Sequence, residues 1–362
     1  MKNHFKKIHC AGFNPRSSLA VWVDKNVSES FKKIITQDVN CMHFSSSPET
    51  ADVILFEDDV PSYIRQTSEF INWPHKCIVV SETDKPTYFL PSLYASNCNR
   101  FLASGRAYTM PYILSIRYRW NKFIDFQKGV SPFLLLYSFC GASTSWVRKK
   151  LFKKYLNITP KNFFIRCSND YFHWDNRDKL NFSDKENYQK QYAASICNSQ
   201  FVLCPKGAGA SSIRLFEVMQ SGRVPVIISD SWIPISGIDW NECAVFIKES
   251  EISLIDRILR ENQPRAASLA LNARKNWENF FSPDRDIWLL RDLISNIQIN
   301  RNDYRERVIR FVFPVISIWR WLIDFTRGFL KLLVLRLFHK FNIPFPYVIH
   351  RPIAEQLFKS HD

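Results

Sequence analysis

Residues 199–247 read SQFVLCPKGAGASSIRLFEVMQSGRVPVIISDSWIPISGIDWNECAVFI, and the order of elements in this stretch decides the fold. The apolar run at 201–204 predicts a strand, and a loop of small residues follows at 206–212. A helix is expected over 212–221, where a glycine ends it, and a second strand over 224–228. A strand, a loop, a helix and a strand in direct succession predict a parallel sheet covered by helices.

The loop before this helix has few side chains that could keep an anion away from the backbone. Unpaired N–H groups and the helix dipole at such a place favour an anion by roughly 0.3–1 kcal/mol. Lys206, Gly207, Ser211 and Ser212 are therefore candidates for contacts with phosphate. Ser211 and Ser212 could equally cap the helix. The loop matches neither G-x-G-x-x-G nor the Walker pattern, so the two common nucleotide fingerprints do not apply.

Two charged residues follow one turn apart on the same helix face, Arg214 and Glu217. They could serve a ligand, or they could form a surface ion pair worth only about 0.2–0.5 kcal/mol. A second strand and small-residue loop, Gly141–Ser145, lead into a helix that carries Arg148. Because ligands of open parallel sheets bind outside the carboxyl ends of the strands, both loops are expected at one edge of the sheet.

The order S-x-F-x-L-x-P-x-G, S-x-R-x-x-E, G-x-x-P-V-I and I-D-W resembles the sugar-nucleotide half of the exostosin family, glycosyltransferase family 47. The residues that carry it are Ser199, Phe201, Leu203, Pro205, Gly207, Ser212, Arg214, Glu217, Gly222, Pro225, Val226, Ile227, Ile238, Asp239 and Trp240, with Tyr192 upstream. The resemblance covers about residues 130–290 and is closest to bacterial-type members. It implies the two-domain GT-B fold and inverting transfer from a nucleotide sugar. It also implies that Arg148 and Arg214 contact the diphosphate and that Glu217 binds the ribose hydroxyls.

Inverting transfer needs a base to take the proton of the attacking hydroxyl, and in such folds this base comes from the first domain. Glu57, Glu82 and Asp84 follow predicted strands there and are the candidates, with solvated turn residues as the alternative. The segment from Glu82 onward resembles an E-x-x-x-P stretch of bacterial family members. Glu57-Asp58-Asp59 superficially resembles the metal-binding triplet of another transferase fold. The arginines and the glycine loop already offer positive charge, so no metal or other cofactor is expected.

The fold class predicted from these elements is α/β, with two Rossmann-like domains facing across a cleft. Residues 1–128 are assigned to an acceptor-side domain and 129–300 to a nucleotide-sugar domain with closing helices. Helices at the end of the GT-B fold cross back to the first domain, and the aromatic stretch 270–300 is expected to do so. Residues 301–362 form a separate basic tail.

Net charge and cysteine content indicate the compartment in which the protein works. The net charge is +15, and residues 301–362 hold 11 Lys and Arg against 5 Asp and Glu. Nine cysteines without a C-x-x-C pair indicate reduced thiols rather than disulfides or zinc. The start, MKNHFKKIHCAGF, has no apolar stretch of signal-peptide length, so we expect a cytoplasmic protein.

The tail has the pattern of an amphipathic helix. Polar residues recur at steps of three and four on one face: Ser317, Arg320, Asp324, Arg327 and Lys331. Apolar residues, tryptophans included, fill the other faces, and Pro314 is expected to separate this helix from the basic residues before it. A basic helix of this kind favours the cytoplasmic face of a membrane through 305–340, although packing on the protein's own core or on a partner would explain it too.

The sequence therefore predicts a glycosyltransferase that uses a nucleotide-diphosphate sugar and a glycan or lipid-linked acceptor, in cell-surface polysaccharide synthesis. Three alternatives remain open at this stage. One is a retaining or fucosyl-type transferase of the same fold, and the second is a catalytically inactive scaffold at the membrane. The third is a basic nucleic-acid-binding protein, which charge and aromatic content alone support and no nucleic-acid-binding motif favours.

Overall fold

The computed structural model describes residues 18–118, 121–126, 134–156, 158, 162–168, 182–315, 317–318, 322 and 325–326. The chain divides into a large compact unit, Met1–Glu306, and a smaller one, Arg307–Asp362. The predicted boundary between residues 128 and 129 lies outside the described residues.

The first half of the large unit is a six-stranded parallel sheet with strand order β2-β1-β3-β4-β5-β6. Its strands are β1 (Leu19–Val23), β2 (Met42–Phe44), β3 (Val53–Phe56), β4 (Cys77–Ser81), β5 (Ser92–Tyr94) and β6 (Ala107–Thr109). Its helices are α1 (Glu29–Ile35), α2 (Pro61–Ile64), α3 (Ser68–Asn72), α4 (Arg100–Ala103) and α5 (Ile113–Tyr118). The strands β3 and β4 are buried along their whole length, as expected for a sheet covered on both faces.

The second half is a five-stranded parallel sheet with strand order β11-β10-β9-β7-β8. Its strands are β7 (Leu135–Gly141), β8 (Phe163–Cys167), β9 (Ser199–Pro205), β10 (Val224–Ile228) and β11 (Val245–Phe246). Its helices are α6 (Trp146–Tyr155), α7 (Phe182–Cys197), α8 (Arg214–Ser221), α9 (Ile255–Asn262) and α10 (Ala266–Asn276). Gly222 ends α8 in the left-handed conformation, which glycine adopts without strain.

The last long helix of the large unit, α11 (Asp286–Asn300), returns to the first sheet. Its buried face, which includes Leu290 and Ile294, belongs to the same hydrophobic core as Leu19 and Val53 of the first sheet. Arg117 forms a salt bridge with Asp286 at the start of the helix. Two parallel sheets facing across a cleft, with a closing helix that returns to the first, make up the GT-B fold, and this prediction is confirmed.

Within the second sheet, the chain runs from β7 outward to β8 and then back past β7 to β9. The order of the strands therefore reverses between β7 and β9. Ligands of open parallel sheets bind at such a switch point, outside the carboxyl ends of the strands. The two loops singled out by sequence, Gly141–Ser145 and 206–212, leave β7 and β9 at this edge.

The smaller unit is helical where it is described. Residues 307–315 form helix, as do the described positions 317–318, 322 and 325–326. Pro314 lies inside this helical stretch, so the expected break before it is not observed. Apart from Ser317, the predicted polar stripe, like most of 305–340, lies outside the described residues. Among the helices that are described, none is long and apolar enough to cross a bilayer.

Candidate active site

A cleft of about 380 Å³ opens at the switch point of the second sheet. The second sheet and its helices line one wall through Cys140, Gly141, Ala142, Thr144, Arg148, Ser168, Tyr188, Gln189, Tyr192, Gly207, Ala208, Ser211, Ser212, Ile213, Arg214 and Glu217. Asp84, Tyr112 and Ser115 come from the first half of the chain, and Asn121 from the segment that follows α5. The cleft thus combines both halves of the large unit.

Arg214 is the cation at the centre of the second-domain wall, and only 5% of it is exposed. Its guanidinium lies over the rings of Phe139, at 4.6 Å, and Tyr192, at 5.4 Å, and its Nη2 donates to the Cys140 carbonyl. Its Nε and Nη1 have no hydrogen-bond partner among the described residues. A buried guanidinium with two unused donors is costly unless a ligand completes its hydrogen bonds.

Arg148 lies beside Arg214 and is held by backbone carbonyl groups. It donates to the carbonyls of Ala142 at 3.2 Å, Pro205 at 3.2 Å and Lys206 at 3.1 Å. Burial and then the neighbouring charge of Arg214 lower the pKa of Arg148 to about 9, which leaves it charged at neutral pH. The two guanidiniums together form a positive wall that no acidic side chain bonds directly in the described part of the chain.

Glu217 does not pair with Arg214 in the way the ion-pair alternative expected. Among the described residues it makes no salt bridge, and its carboxylate instead accepts a hydrogen bond from the Tyr192 hydroxyl of α7. Burial raises the pKa of Glu217, while the Tyr192 hydrogen bond and the charge of Arg214 act in the opposite direction. Glu217 lines the cleft, so its carboxylate is available to a ligand there.

The glycine loop brings the N-terminus of α8 to the cleft. Gly207, Ser211 and Ser212 line it, and no side chain caps the start of α8. A Cβ atom at Gly207 would lie 3.3 Å from Nη2 of Arg148, which is tight for any side chain. The loop therefore lets the backbone approach Arg148 closely and leaves the helix N-terminus open to an anion.

Lys206 does not reach this cleft. Its ammonium forms a 2.7 Å salt bridge with Glu249, which is itself buried, and it is not among the lining residues. The carbonyl of Lys206, rather than its side chain, takes part in the site, because it accepts hydrogen bonds from Arg148 and from Ser145.

The three acidic candidates of the first half occupy different places. Glu57 accepts from the backbone N–H of Ser28 at 2.7 Å, at the start of α1, and Glu82 accepts from the N–H of Leu114 at 2.7 Å, at the start of α5. Neither lines the cleft. Asp84 does line it, although its side chain keeps contact with solvent.

The Asp84 carboxylate meets the glycine loop across the cleft. Burial between the two walls raises its pKa, whereas the nearby Gly209 N–H and the charge of Arg148 act in the opposite direction. A Cβ atom at Gly209 would lie 2.5 Å from Asp84 Oδ1 and 2.9 Å from the Cβ of Ser96. Glycine at 209 is therefore required for the two halves to approach this closely.

The acidic triplet 57–59 is used for structure. Besides Glu57, Asp59 accepts from the N–H and hydroxyl of Thr87, both at 2.6 Å, and from the Tyr94 hydroxyl at 2.8 Å. Within the described residues, no cluster of three His, Cys, Asp or Glu side chains has the arrangement of a metal site.

Sequence reasoning did not single out Tyr112 and Ser115, the first-domain residues that line the cleft together with Asp84. The hydroxyls of Tyr112 and Ser96 lie 3.0 Å apart, and Ser115, which lines the cleft, donates to Glu82 at 2.6 Å. Their positions depend on how the two halves of the large unit pack together, and short sequence patterns do not predict that packing. Tyr192 was part of the family pattern, but its contact with Glu217 was not foreseen.

Comparison with known proteins also points to the exostosin family for the second half of the chain. Residues 136–262 match the Exostosin GT47 domain. The Exostosin-1 homolog of Caenorhabditis elegans is 34% identical over 124 residues, which cover 33% of this chain and 32% of the relative. Exostosin-1 of Bos taurus is 32% identical over 113 residues, 30% of this chain and 15% of the relative. The match thus spans a third or less of these curated relatives.

Among solved structures, a glycosyltransferase from Rickettsia africae aligns over 77% of this chain and 89% of its own, with 12% identity and a TM-score of 0.40. The strand order of the two sheets, rather than this superposition, identifies the fold. The matched segment 136–262 contains Arg148, Arg214 and Glu217 together with the glycine loop. The second half of the chain thus contains a segment that matches the Exostosin GT47 domain, and the candidate site residues lie within it.

Proposed function

We propose that this protein is a glycosyltransferase that moves a sugar from a nucleotide-diphosphate sugar to a glycan or lipid-linked acceptor, with inversion. The observation that carries the proposal is that Arg214 is buried in the wall of a cleft, with two donors that have no partner among the described residues. Phosphate oxygens have the charge and the geometry that such a guanidinium binds best.

The reaction places its developing charge where this wall is positive. As the bond from the anomeric carbon to the phosphate oxygen breaks, the electron pair leaves with the nucleoside diphosphate. Arg214, Arg148 and the open N-terminus of α8 are fixed before the substrate arrives, so they stabilise this charge without reorganising. We therefore propose that no metal or other cofactor is needed for donor binding.

Glu217 is proposed to accept hydrogen bonds from the ribose hydroxyls. Tyr192 holds its carboxylate from the side of α7, which fixes the carboxylate in the cleft wall for a second donor. A carboxylate is an acceptor with several lone pairs, so one hydrogen bond from Tyr192 leaves capacity for a diol.

Of the three acidic candidates, we assign the base to Asp84, because Glu57 and Glu82 are occupied at helix starts outside the cleft. Asp84 would take the proton of the acceptor hydroxyl as its oxygen bonds to the anomeric carbon from the face opposite the leaving group. A raised pKa brings a carboxyl closer to the range in which a general base is effective at neutral pH.

The basic tail bears on the acceptor and on the location of the protein. The basic tail supports a lipid-linked acceptor and a peripheral position on the cytoplasmic face of a membrane, through 305–340. A role in cell-surface polysaccharide synthesis would follow from such an acceptor.

The test is calorimetric titration of the full chain with UDP and with GDP. Wild type should bind one of them, and Arg214→Ala and Glu217→Ala should each weaken that binding at least about tenfold, or about 1.4 kcal/mol. Lys206→Gln is the matched control, because it removes a cation next to the glycine loop that points to Glu249. It should bind like wild type.

Two results would contradict the proposal. Folded wild type that binds neither nucleotide at millimolar concentration would favour a catalytically inactive scaffold. Salt-sensitive binding to DNA or RNA instead of the nucleotides would favour the nucleic-acid alternative. Once a donor sugar is identified, the anomeric configuration of the product decides between inverting and retaining transfer.

A further inference from the structure

An aromatic ring stands at the edge of the cleft, outside the residues that line it. Trp146, the first residue of α6, is 53% exposed. Thr144 and Arg148, two positions before and after it, both line the cleft. The chain spans at most about 7 Å over two residues, so the Trp146 backbone lies within that distance of both. The indole therefore extends the wall of the cleft outward.

The ring is held in place from the glycine loop. The Lys206 ammonium lies over the indole, 5.7 Å from the ring centroid, and its 2.7 Å salt bridge with the buried Glu249 fixes it there. The Ser145 hydroxyl, next to Trp146 in the chain, donates to the Lys206 carbonyl at 2.8 Å. A cation on one face of an indole attracts the ring and orients it. The exposed part of the indole is thus presented to solvent as a fixed, flat surface.

Polar groups surround this surface. Thr144, on the side of the cleft, and Lys149 and Lys150, on α6, are exposed. Lys150 donates to the carbonyls of Glu249 and Ser250, at 3.3 and 3.4 Å, and no salt bridge in the described part of the chain includes Lys149. A sugar ring has a face of C–H groups and a rim of hydroxyls. It therefore offers a partner both to the π face of an indole and to the hydrogen-bonding side chains around it.

The composition around Trp146 does not suit a lipid surface. A helix that lies on a membrane needs a wide apolar arc. The apolar residues nearest to Trp146 on α6, Val147 and Leu151, are buried in the core of the second sheet. Leu156, which is 75% exposed, follows ten residues after Trp146, or about 15 Å along a helix. One ring among polar groups therefore indicates a sugar rather than a bilayer.

The position of the ring assigns this sugar to the acceptor. The donor sugar is bonded directly to the diphosphate, which the proposed function places against Arg148 and Arg214, so it stays within the cleft. A ring outside the lining residues is reached by a substrate that extends out of the cleft, as a glycan chain does.

We propose that Trp146 is a platform for the glycan acceptor and stacks on a sugar unit other than the one that reacts. The inference rests on the proposed function and narrows its acceptor to one that carries at least two sugar units.

The experiment is saturation-transfer NMR of the full chain with cellotetraose, maltotetraose, chitotetraose and a hyaluronan tetrasaccharide, each at millimolar concentration. Wild type should bind at least one of them, with saturation passing to C–H protons of the sugar rings. Trp146→Ala should weaken that binding at least about tenfold, because it removes most of the apolar surface of the platform. Trp146→Phe should keep part of the binding, since a smaller ring remains.

Phe101→Ala is the matched control, since Phe101 on α4 is 82% exposed and does not line the cleft. It should bind like wild type, and circular dichroism shows whether each variant is folded. The proposal is overturned if folded wild type binds none of the four glycans, if Trp146→Ala binds them like wild type, or if Phe101→Ala loses as much. It is also overturned if Trp146 is needed for binding to phosphatidylglycerol vesicles rather than to the glycans.

Calorimetry with UDP and GDP on the same samples separates this inference from the proposed function. Nucleotide binding without glycan binding would refute the platform alone. Glycan binding through Trp146 without nucleotide binding would keep the platform and refute the transferase.

Discussion

Because Gly209 lies in close contact with the first domain, we expect Gly209→Ala to push the two walls of the cleft apart. Gly209 does not have a positive φ, so its backbone accepts alanine without strain. The new methyl group would lie 2.5 Å from Asp84 Oδ1, 2.9 Å from the Ser96 Cβ and closer still to the Ser96 hydroxyl oxygen. Ser96 is fully buried and cannot turn away easily, so the two walls must separate by about 1 Å to restore normal contact distances.

Two consequences of this separation can be measured. Overpacking of this kind costs about 1–3 kcal/mol, which chemical denaturation should detect. The separation also moves Asp84 away from Arg148 and Arg214 on the other side of the cleft. A misplacement of about 1 Å can cost about a hundredfold in rate. Nucleotide affinity should stay close to wild type, because Arg214 and Glu217 lie within the second domain.

The assay measures the release of the nucleotide that calorimetry identifies from sugar donors that carry it, and nucleotide binding is measured on the same samples. The rescue variant is Ser96→Gly in the Gly209→Ala background, since it removes the two Ser96 atoms that the methyl group meets. It should restore part of the rate. Gly209→Ala protein that turns over like wild type would refute the reasoning. Loss of nucleotide binding as large as the loss of rate would also refute it, because the loop rather than the interdomain contact would then be at fault.

Three further predictions address other contacts. Tyr192→Phe removes a hydrogen bond that lowers the pKa of Glu217, so nucleotide binding that needs the carboxylate should be lost at higher pH than in wild type, as calorimetry across pH would show. Glu306→Gln leaves the buried Arg106 without its charged partner, and denaturation should show a loss of about 3–5 kcal/mol. Nucleotide binding should be the same with EDTA as with added Mn²⁺ or Mg²⁺, because the proposal needs no metal; a large loss in EDTA would contradict it.

The long strands could be predicted from sequence because burial on both faces leaves an uninterrupted apolar run. The strand predicted at 224–228 matches β10, and the one predicted at 201–204 lies within β9. Short strands escaped the same reasoning. β5 (Ser92–Tyr94) and β6 have three residues each, and their conformation depends on the strands beside them rather than on their own pattern.

Helix starts were less predictable than helix ends. Gly222 ends α8 at the expected place, but α8 begins at Arg214 rather than at Ser212, because neither serine acts as a cap. The serines line the cleft instead. A serine before a helix has the same appearance in sequence whether it caps the backbone or faces a ligand, so only the structure separates the two.

For the candidate site residues, the sequence predicted the helix or loop on which each one lies better than it predicted where its side chain points. Arg214 and Glu217 were placed on the correct helix and face. Lys206, the first residue of the loop, differs because a long flexible side chain can reach either side of the sheet edge, and here its ammonium forms a salt bridge with Glu249. The base could not be chosen among three acids, since the choice depends on contacts between the two halves.

The burial of the two arginines indicates what the site is organised to do. Arg148 has backbone carbonyl acceptors around it and is fixed by them, whereas two donors of Arg214 have no partner in the part of the chain that the structure describes. Burial, and then the repulsion between these two like charges, lowers the pKa of Arg148. An anion that lies against both arginines would relieve this repulsion, and it would relieve it further as negative charge grows on the leaving group. The same arrangement that makes the empty cleft unfavourable therefore favours the transition state over the bound donor.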